Sequence, residues 1–171
     1  MLRNAAEFLR SFHVRLIERR LCAPVVSAKV SIIKLGNIAR PIMELPLLML
    51  IDDEFGVRES LKMVFSKEYR VLDSDSLAAA LPKIEESRPS VVLLDVLMPR
   101  TDGLAALQQI KQIHPQCEII MLTGINSQQL AAKAIELGAF DFIGKPFDIV
   151  DLREKVGRAL EQVAQRWAAR L

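Results

Sequence analysis

Acidic side chains follow two of the most apolar stretches in this chain. Residues 47–54 read LLMLIDDE, so five apolar residues run directly into three carboxylates. Residues 91–95 read VVLLD and end in the same way, at Asp95. Carboxylates this close repel one another, and each prefers to keep its water. The pattern therefore predicts a cation beside these groups.

Two more polar residues follow apolar stretches. Thr123 closes EIIMLT, and Lys145 lies just beyond FDFI. If all four stretches are parallel strands of one sheet, their carboxyl ends meet at one edge. Clustered carboxylates there favour Mg²⁺, which prefers oxygen ligands and commonly takes one or two carboxylates together with a phosphate.

Phosphoryl transfer is the chemistry that this set of residue types favours. Aspartate is a known covalent nucleophile for phosphoryl groups, and an ammonium and a hydroxyl can stabilise the oxygens of the transferred group. A single aspartate after a strand is usually a turn or capping residue. The prediction therefore depends on the whole set lying at four different strand ends.

Strand-like and helix-like patterns alternate from Leu47 onward, and they must position these residues. The predicted strands are 47–51, 69–73, 91–94, 118–122 and 140–143. The predicted helices are 55–66, 76–87, 102–113, 126–137 and a last one that begins near Asp148. Such alternation predicts an α/β fold, a parallel sheet with helices on both faces.

The strand compositions predict the strand order. The first, third and fourth strands are almost purely apolar, as expected for strands buried on both faces. The second and fifth carry Arg70, Asp73 and Asp141, which indicates edge strands. This fits the order 2-1-3-4-5, the flavodoxin-like doubly wound five-stranded sheet, with a ligand crevice at the carboxyl ends of strands one and three. Pro82 lies inside the second helical pattern and predicts a kink or a later helix start.

Charge and cysteine content bound the class of protein. The 171 residues have a formal charge of +2, but residues 1–45 hold eight Lys and Arg against three Glu, and the remainder holds 15 against 18. A mildly acidic domain with a basic leader describes this distribution. Cys22 and Cys117 are far apart, which suits a reducing compartment, and no apolar run could cross a bilayer. We expect a cytoplasmic protein without a membrane span.

Four motifs give the chain a family resemblance. They are IDDE at 51–54, LLDVLMPRTDG at 93–103, MLTG at 121–124 and GAFDFIGKPF at 138–147. From about Met43 to Trp167 the chain resembles the receiver domain of bacterial two-component response regulators, especially stand-alone receivers like those of chemotaxis. The resemblance implies a phosphoprotein of phosphorelay signal transduction.

The resemblance also assigns roles to individual residues. It implies that Asp95 accepts a phosphoryl group from a histidine kinase or a histidine phosphotransfer protein, and that Thr123 and Lys145 contact the phosphate. It implies a cis Lys145–Pro146 bond, and a switch in which Thr123 moves towards the phosphate and Phe142 takes the vacated space. The ligands that it implies for Mg²⁺ are Asp52, Asp53, Asp95 and the backbone carbonyl of Leu97.

Phosphorylation would then change the face presented to a downstream protein target. The family tunes hydrolysis at two positions that are Leu97 and Ile125 in this chain. Both are apolar and neither can orient an attacking water, so we expect slow self-dephosphorylation.

The two ends of the chain have separate interpretations. Residues 1–42 form a basic N-terminal extension, for which the alternatives are a start assigned too far upstream, a disordered leader, or an amphipathic helix over the first 20 residues that docks on a membrane or partner. Residues 43–171 form the receiver domain with an extended C-terminal helix. The last turns of that helix could pair with a second copy. We expect no direct DNA binding, because the sequence shows no basic recognition helix.

Three functions compete at this point. The first is a phospho-accepting receiver that is not an enzyme, apart from catalysing its own phosphorylation and dephosphorylation. The second is a receiver-like scaffold or interaction module that takes no phosphate, against which the complete set of site residues argues. The third is a small metal-dependent phosphatase, against which the absence of a cap insertion argues.

Overall fold

A computed structural model describes residues 30–35, 38–43, 45–99, 101–124 and 128–169, with side chains from residue 45 onward. The strands of the described part are β1 (Val30–Leu35), β2 (Ile38–Met43), β3 (Leu47–Ile51), β4 (Arg70–Ser74), β5 (Val91–Asp95), β6 (Glu118–Thr123) and β7 (Asp141–Gly144). The helices are α1 (Phe55–Phe65), α2 (Leu77–Ser87), α3 (Gly103–Ile113), α4 (Gln128–Glu136) and α5 (Ile149–Ala168). Each predicted strand and helix beyond residue 46 is present, with its ends shifted by two residues at most.

Strands β3 to β7 form one parallel sheet in the order β4-β3-β5-β6-β7. Counted along these five strands, this is the predicted order 2-1-3-4-5, with β4 and β7 at the edges. In the register of the sheet, Ile51 is level with Leu94 and Asp95 is level with Leu122. The carboxyl ends of β3, β5 and β6 therefore lie side by side, which brings the predicted site residues to one edge.

The sheet is covered on both faces, because successive side chains of a strand point to opposite sides. On one face, Met49 and Ile51 of β3 join the apolar residues of α2, α3 and α4. On the other face, Leu48 and Leu50 join those of α1 and α5. The five residues of β3 are all buried, which is why its sequence is apolar without alternation. The core thus fixes the strand ends from both sides.

Helix α2 runs unbroken through Pro82, from Leu77 to Ser87. Of the two alternatives predicted for Pro82, the later helix start was therefore wrong, and the kink stays a prediction. Pro82 is the sixth residue of the helix, so the carbonyl that loses its partner lies close to the helix start, and Pro82 itself is exposed to solvent. Pro82 is at the centre of this 11-residue helix, where a proline removes one i→i−4 hydrogen bond and destabilises the helix.

The part of the chain before residue 45 is described only over two short strands. Strands β1 and β2 pair antiparallel, with Val30 opposite Met43, and the sequence patterns above did not indicate them. The predicted amphipathic helix over residues 1–20 lies outside the described residues, and the division at residue 42 stays a prediction. Within the described ranges, no helix combines the length and apolar character needed to span a membrane.

Candidate functional site

Asp52 is the first residue after β3, and it is almost completely buried, with 1% of its surface exposed. Its backbone N–H donates to the carbonyl oxygen of Ser74 at the end of β4 (3.2 Å). Its Oδ1 accepts from the backbone N–H of Glu54 (2.8 Å). The buried strand β3 therefore ends in a carboxylate that is held in place on both sides.

Asp95 is the last residue of β5 and is 2% exposed. Its Oδ1 accepts from the backbone N–H of Leu97 (3.0 Å), which turns the chain back over the carboxylate. Asp53 lies next to this pair but is exposed to solvent. One carboxylate oxygen from each of Asp52, Asp53 and Asp95 lies within 4.8 Å of the others. The structure thus brings together the three carboxylates that the sequence predicted as ligands.

Lys145 follows β7 and reaches across the sheet edge to these carboxylates. Its Nζ donates to Oδ2 of Asp52 (2.8 Å) and to Oδ2 of Asp95 (2.9 Å), and it lies 3.4 Å from a carboxylate oxygen of Glu54. The Lys145–Pro146 peptide bond is cis, as the resemblance implied. The backbone N–H of Lys145 donates to the carbonyl oxygen of Thr123 (2.5 Å), so β6 and β7 jointly position this side chain.

Burial and charge change the acid–base properties of these groups in definite directions. Burial is the largest influence on Asp52 and raises the pKa of its carboxyl, although the hydrogen bond from Lys145 opposes the rise. Burial opposes the charged form of Lys145, but its hydrogen bonds to Asp52 and Asp95 outweigh that effect and raise the pKa of the ammonium. Lys145 is therefore positively charged at neutral pH.

A divalent cation fits this arrangement. One ammonium faces the carboxylates of Asp52, Asp95 and Glu54, with Asp53 adjacent, so the site keeps an excess of negative charge. The donors are carboxylate oxygens, which Mg²⁺ prefers to nitrogen or sulfur ligands. The donor set also leaves an open side, because Asp53 and Glu54 are exposed. The residues that would hold such an ion are Asp52, Asp53 and Asp95.

The remaining predicted residues surround this cluster. Thr123 is buried at the end of β6, in register with Gly144 of β7. Phe142 is partly buried against the apolar layer beneath α2, α3 and α4. Leu97 is half exposed, and its Cδ1 lies 3.3 Å from where a side chain on Gly124 would begin. The predicted role of the Leu97 carbonyl as a ligand, and the roles of Thr123 and Phe142, stay predictions.

The family model for the response regulator receiver domain matches residues 48–157, which include every predicted site residue. The chain belongs to this family. Among curated proteins, this receiver is 33% identical to sporulation initiation phosphotransferase F of Bacillus subtilis over 114 residues, 66% of this chain and 92% of that protein. It is 35% identical to chemotaxis protein CheY of B. subtilis over 115 residues, 66% of this chain and 96% of that protein.

Solved receiver structures give the same result. A CheY-like receiver domain protein of Methanospirillum hungatei superposes with a TM-score of 0.68 at 26% identity, covering 72% of this chain and 99% of that one. The receiver domain of NtrX from Brucella abortus superposes with a TM-score of 0.63 at 35% identity, covering 67% and 98%. The flavodoxin-like fold of this receiver and its place in two-component systems are therefore established.

Sequence reasoning missed one residue of the site, Arg58 in the second turn of α1. Its side chain is buried, and it donates to the backbone of Asp52. A signal was present, because Arg58 lies three and seven residues before Leu61 and Phe65, on the face of α1 that packs on the sheet. A charged residue on a buried helix face needs a partner, and that need points to the neighbouring strand ends.

Proposed function

We propose that this receiver is a phosphorylation-dependent signalling switch with Asp95 as its phospho-acceptor. The observation that carries the proposal is the position of the Asp95 carboxylate. It is buried at the centre of the sheet edge, with Lys145 bonded to it and two further carboxylates within 4.8 Å. That arrangement provides a nucleophile, a positive charge and a metal-binding oxygen set within one small volume.

In the proposed reaction, a carboxylate oxygen of Asp95 attacks the phosphorus of a phosphohistidine. The phosphorus–nitrogen bond breaks, the imidazole takes up a proton, and an acyl phosphate forms on Asp95. The donor is a histidine kinase or a histidine phosphotransfer protein. A relay role of this kind is supported by the likeness to the sporulation phosphotransferase, which is named for phosphoryl transfer.

Mg²⁺ bound by Asp52, Asp53, Asp95 and the Leu97 carbonyl would neutralise the oxygens of the phosphoryl group. The chain's own residues do the rest. Lys145 exchanges its bond to Asp95 for one to a phosphoryl oxygen, which its reach across the sheet edge allows. Thr123, next to Asp95 at the sheet edge, donates its hydroxyl proton to another phosphoryl oxygen. Outside this self-phosphorylation and self-dephosphorylation, the protein is not an enzyme.

The switch transmits this change to a protein target. As the Thr123 hydroxyl moves towards the phosphate, Phe142 moves into the space that it leaves. Phe142 lies on the edge strand β7, between α4 and α5 in sequence, so its movement alters the surface formed by these three elements. A new dianion with new hydrogen bonds biases a two-state element of this kind. The partner is a downstream protein in the cytoplasm, without direct DNA binding.

Pairing of α5 with a second copy stays a prediction of the sequence. Two polar side chains in its last turns already have partners within the chain, because Gln162 donates to Oε1 of the buried Glu118 (2.9 Å) and Arg166 forms an ion pair with the same oxygen (2.7 Å). Trp167 is half exposed beside them. Sedimentation with and without phosphorylation would measure whether a dimer forms.

Intact-mass spectrometry after incubation with acetyl phosphate and Mg²⁺ tests the proposed function. We expect one added phosphoryl group, which is lost without Mg²⁺ and lost in Asp95→Asn. Asp75→Asn is the matched control, since Asp75 is an exposed aspartate after the neighbouring strand β4, and it should keep the adduct. No adduct on the unaltered protein would favour the scaffold function. Turnover of a phosphate ester would favour the phosphatase.

A further inference from the structure

Arg58 lies behind the acidic cluster, and no role assigned so far uses it. Its side chain is 10% exposed and makes two strong contacts. Nη1 donates to the backbone carbonyl of Asp52 (2.7 Å) in a buried hydrogen bond, and Nε donates to Oδ2 of Asp73 (3.1 Å). The guanidinium also lies 5.8 Å from the ring centre of Phe55. A guanidinium has five donors in a planar fork, so it can bond both oxygens without changing its geometry.

These contacts fix a particular part of the backbone. The carbonyl of Asp52 belongs to the peptide group that joins Asp52 to Asp53. Because this group is planar, a bond to its oxygen sets its rotation about the chain. The other polar backbone atom of Asp52, its N–H, is bonded to Ser74. Both sides of Asp52 are thus tied to the end of β4, one directly and the other through Arg58.

The orientation of this peptide group matters most for Asp53. Within the described part of the chain, the Asp53 carboxylate has no hydrogen bond or ion pair, whereas Asp52 and Asp95 are each held by a backbone N–H and by Lys145. The position of the Asp53 side chain therefore depends on the backbone from which it projects. Arg58 is the only described side chain that bonds this backbone from outside the turn.

The anchor of Arg58 is itself well held. Asp73 accepts a second ion pair from Lys62 (3.3 Å), and its backbone carbonyl accepts from the ammonium of Lys83 (2.8 Å). Removal of Arg58 would therefore leave Asp73 with a counter-charge and with its backbone in place. This separates a positioning function of Arg58 from the plain need to neutralise Asp73.

We propose that Arg58 is a positioning residue that sets the spacing of the Asp52 and Asp53 carboxylates and thereby the affinity of this edge for a divalent cation. The inference rests on the proposed function, because it assumes that these carboxylates bind Mg²⁺. It adds a specific dependence of that binding on a helix residue that contacts no ligand. Support for a ligand from its neighbours typically changes metal affinity by about 10- to 100-fold.

Calorimetric titration of the purified protein with Mg²⁺ alone tests this inference, without any phosphoryl donor. We expect the Mg²⁺ dissociation constant to rise about tenfold or more in Arg58→Gln. Arg58→Lys should rescue little, since an ammonium is a point charge without the planar fork of donors that Arg58 uses for its two bonds. Asp73→Asn should raise the dissociation constant in the same direction, and the double variant should show less than the product of the two effects.

Arg153→Gln is the matched control. Arg153 also donates from a helix to a backbone carbonyl of α1, that of Val64 (2.9 Å), and it also pairs with an acid, Glu68. It should leave Mg²⁺ affinity unchanged. Amide NMR shifts of Asp53 and Glu54 in the metal-free protein give a second readout, and these should move in Arg58→Gln but not in Arg153→Gln.

The possible outcomes separate the inference from the proposed function. If the unaltered protein binds Mg²⁺ and folded Arg58→Gln binds it equally well, the positioning role is wrong and the proposed function stands. If both arginine variants weaken binding alike, the effect is general destabilisation and the positioning role is also wrong. If the unaltered protein does not bind Mg²⁺ at all, both fall.

Discussion

Replacement of Gly103 by alanine should destabilise the protein and disturb the site, for a reason visible in a few distances. Gly103 is the first residue of α3 and is buried. A Cβ built there would lie 2.8 Å from Cα of Val96, 2.9 Å from its Cγ1 and 3.0 Å from its carbonyl oxygen. Two of these three atoms belong to the backbone, so rotation of a side chain cannot relieve the contact. The segment that must move follows Asp95 directly.

Gly56 gives the matched comparison. It is the second residue of α1, and a Cβ built there meets nothing within 4 Å. Alanine stabilises a helix position relative to glycine by about 0.5–1 kcal/mol. Either variant gains at most this much stability from its alanine, whereas Gly103→Ala also has an overpacking cost of about 1–3 kcal/mol. The difference in unfolding free energy between the two variants should therefore be about 1–3 kcal/mol, with Gly56→Ala no less stable than the unaltered protein.

Urea unfolding followed by circular dichroism measures both free energies, and the rate of acyl-phosphate formation gives a functional readout. A shift of Val96 moves its neighbours Asp95 and Leu97, so Gly103→Ala should also be phosphorylated more slowly, while Gly56→Ala keeps the normal rate. Equal stability of the two alanine variants would show that the close approach of α3 to the β5 end is not tight, and it would refute this reasoning.

Three further predictions concern stability, reactivity and lifetime. Arg166→Ala should lower the free energy of urea unfolding by about 1–2 kcal/mol, because it weakens the pairing of the buried Glu118 carboxylate. Arg158→Ala should lower it by under about 0.5 kcal/mol, because the ion pair of Arg158 with Asp141 is exposed. Equal losses in the two variants would contradict this. Burial raises the pKa of the Cys117 thiol to about 12. In a variant that lacks Cys22, we therefore expect iodoacetamide at pH 8 to label Cys117 only after unfolding. Rapid labelling of the native protein would contradict the burial of this thiol. Leu97→Asn should shorten the acyl-phosphate half-life several-fold, and an unchanged half-life would show that this apolar position does not slow hydrolysis.

The sheet was predictable because its strands carry strong and simple signals. LLMLI and VVLL are apolar throughout and EIIML is apolar after its first residue, a pattern typical of strands that are covered on both faces, and Arg70 and Asp141 marked the two edges. Local signals also gave two helix ends. The side chain of Asp148 caps α5 by accepting from the N–H of Val150 (2.6 Å), and Gly138 after α4 has a positive φ of 95°.

Features that depend on tertiary contacts were missed. The C-cap of α2 is Arg88 in the left-handed conformation, a position where sequence rules expect glycine or asparagine. Glu118 looked like a simple strand start, yet its carboxylate is buried and bonded to a helix 44 and 48 residues later in the chain. The hairpin of β1 and β2 had a signal that went unused, since Gly36-Asn37 separates two apolar stretches.

That the predicted site residues lie together was predictable from the sequence, and their detailed geometry less so. Four strand ends at one sheet edge follow from topology alone, which is why Asp52, Asp95 and Lys145 were identified without coordinates. The reach of Lys145 over 93 residues to Asp52 depends on the strand register, and no local pattern specifies it. The contact of Arg58 with the Asp52 backbone depends on how α1 packs, so it became visible only in the structure.

Reductive trapping tests the central claim most directly. Borohydride converts an aspartyl phosphate to homoserine, and trypsin places Asp95 as the only aspartate in the peptide of residues 84–100, since Arg88 precedes proline and is not cleaved. Asp52 and Asp53 fall in a different peptide, residues 35–58. After incubation with acetyl phosphate and Mg²⁺, we predict homoserine at residue 95 alone. Homoserine at residue 52 or 53, or an unmodified 84–100 peptide from protein that carries the phosphoryl adduct, would contradict the assignment of Asp95 as acceptor.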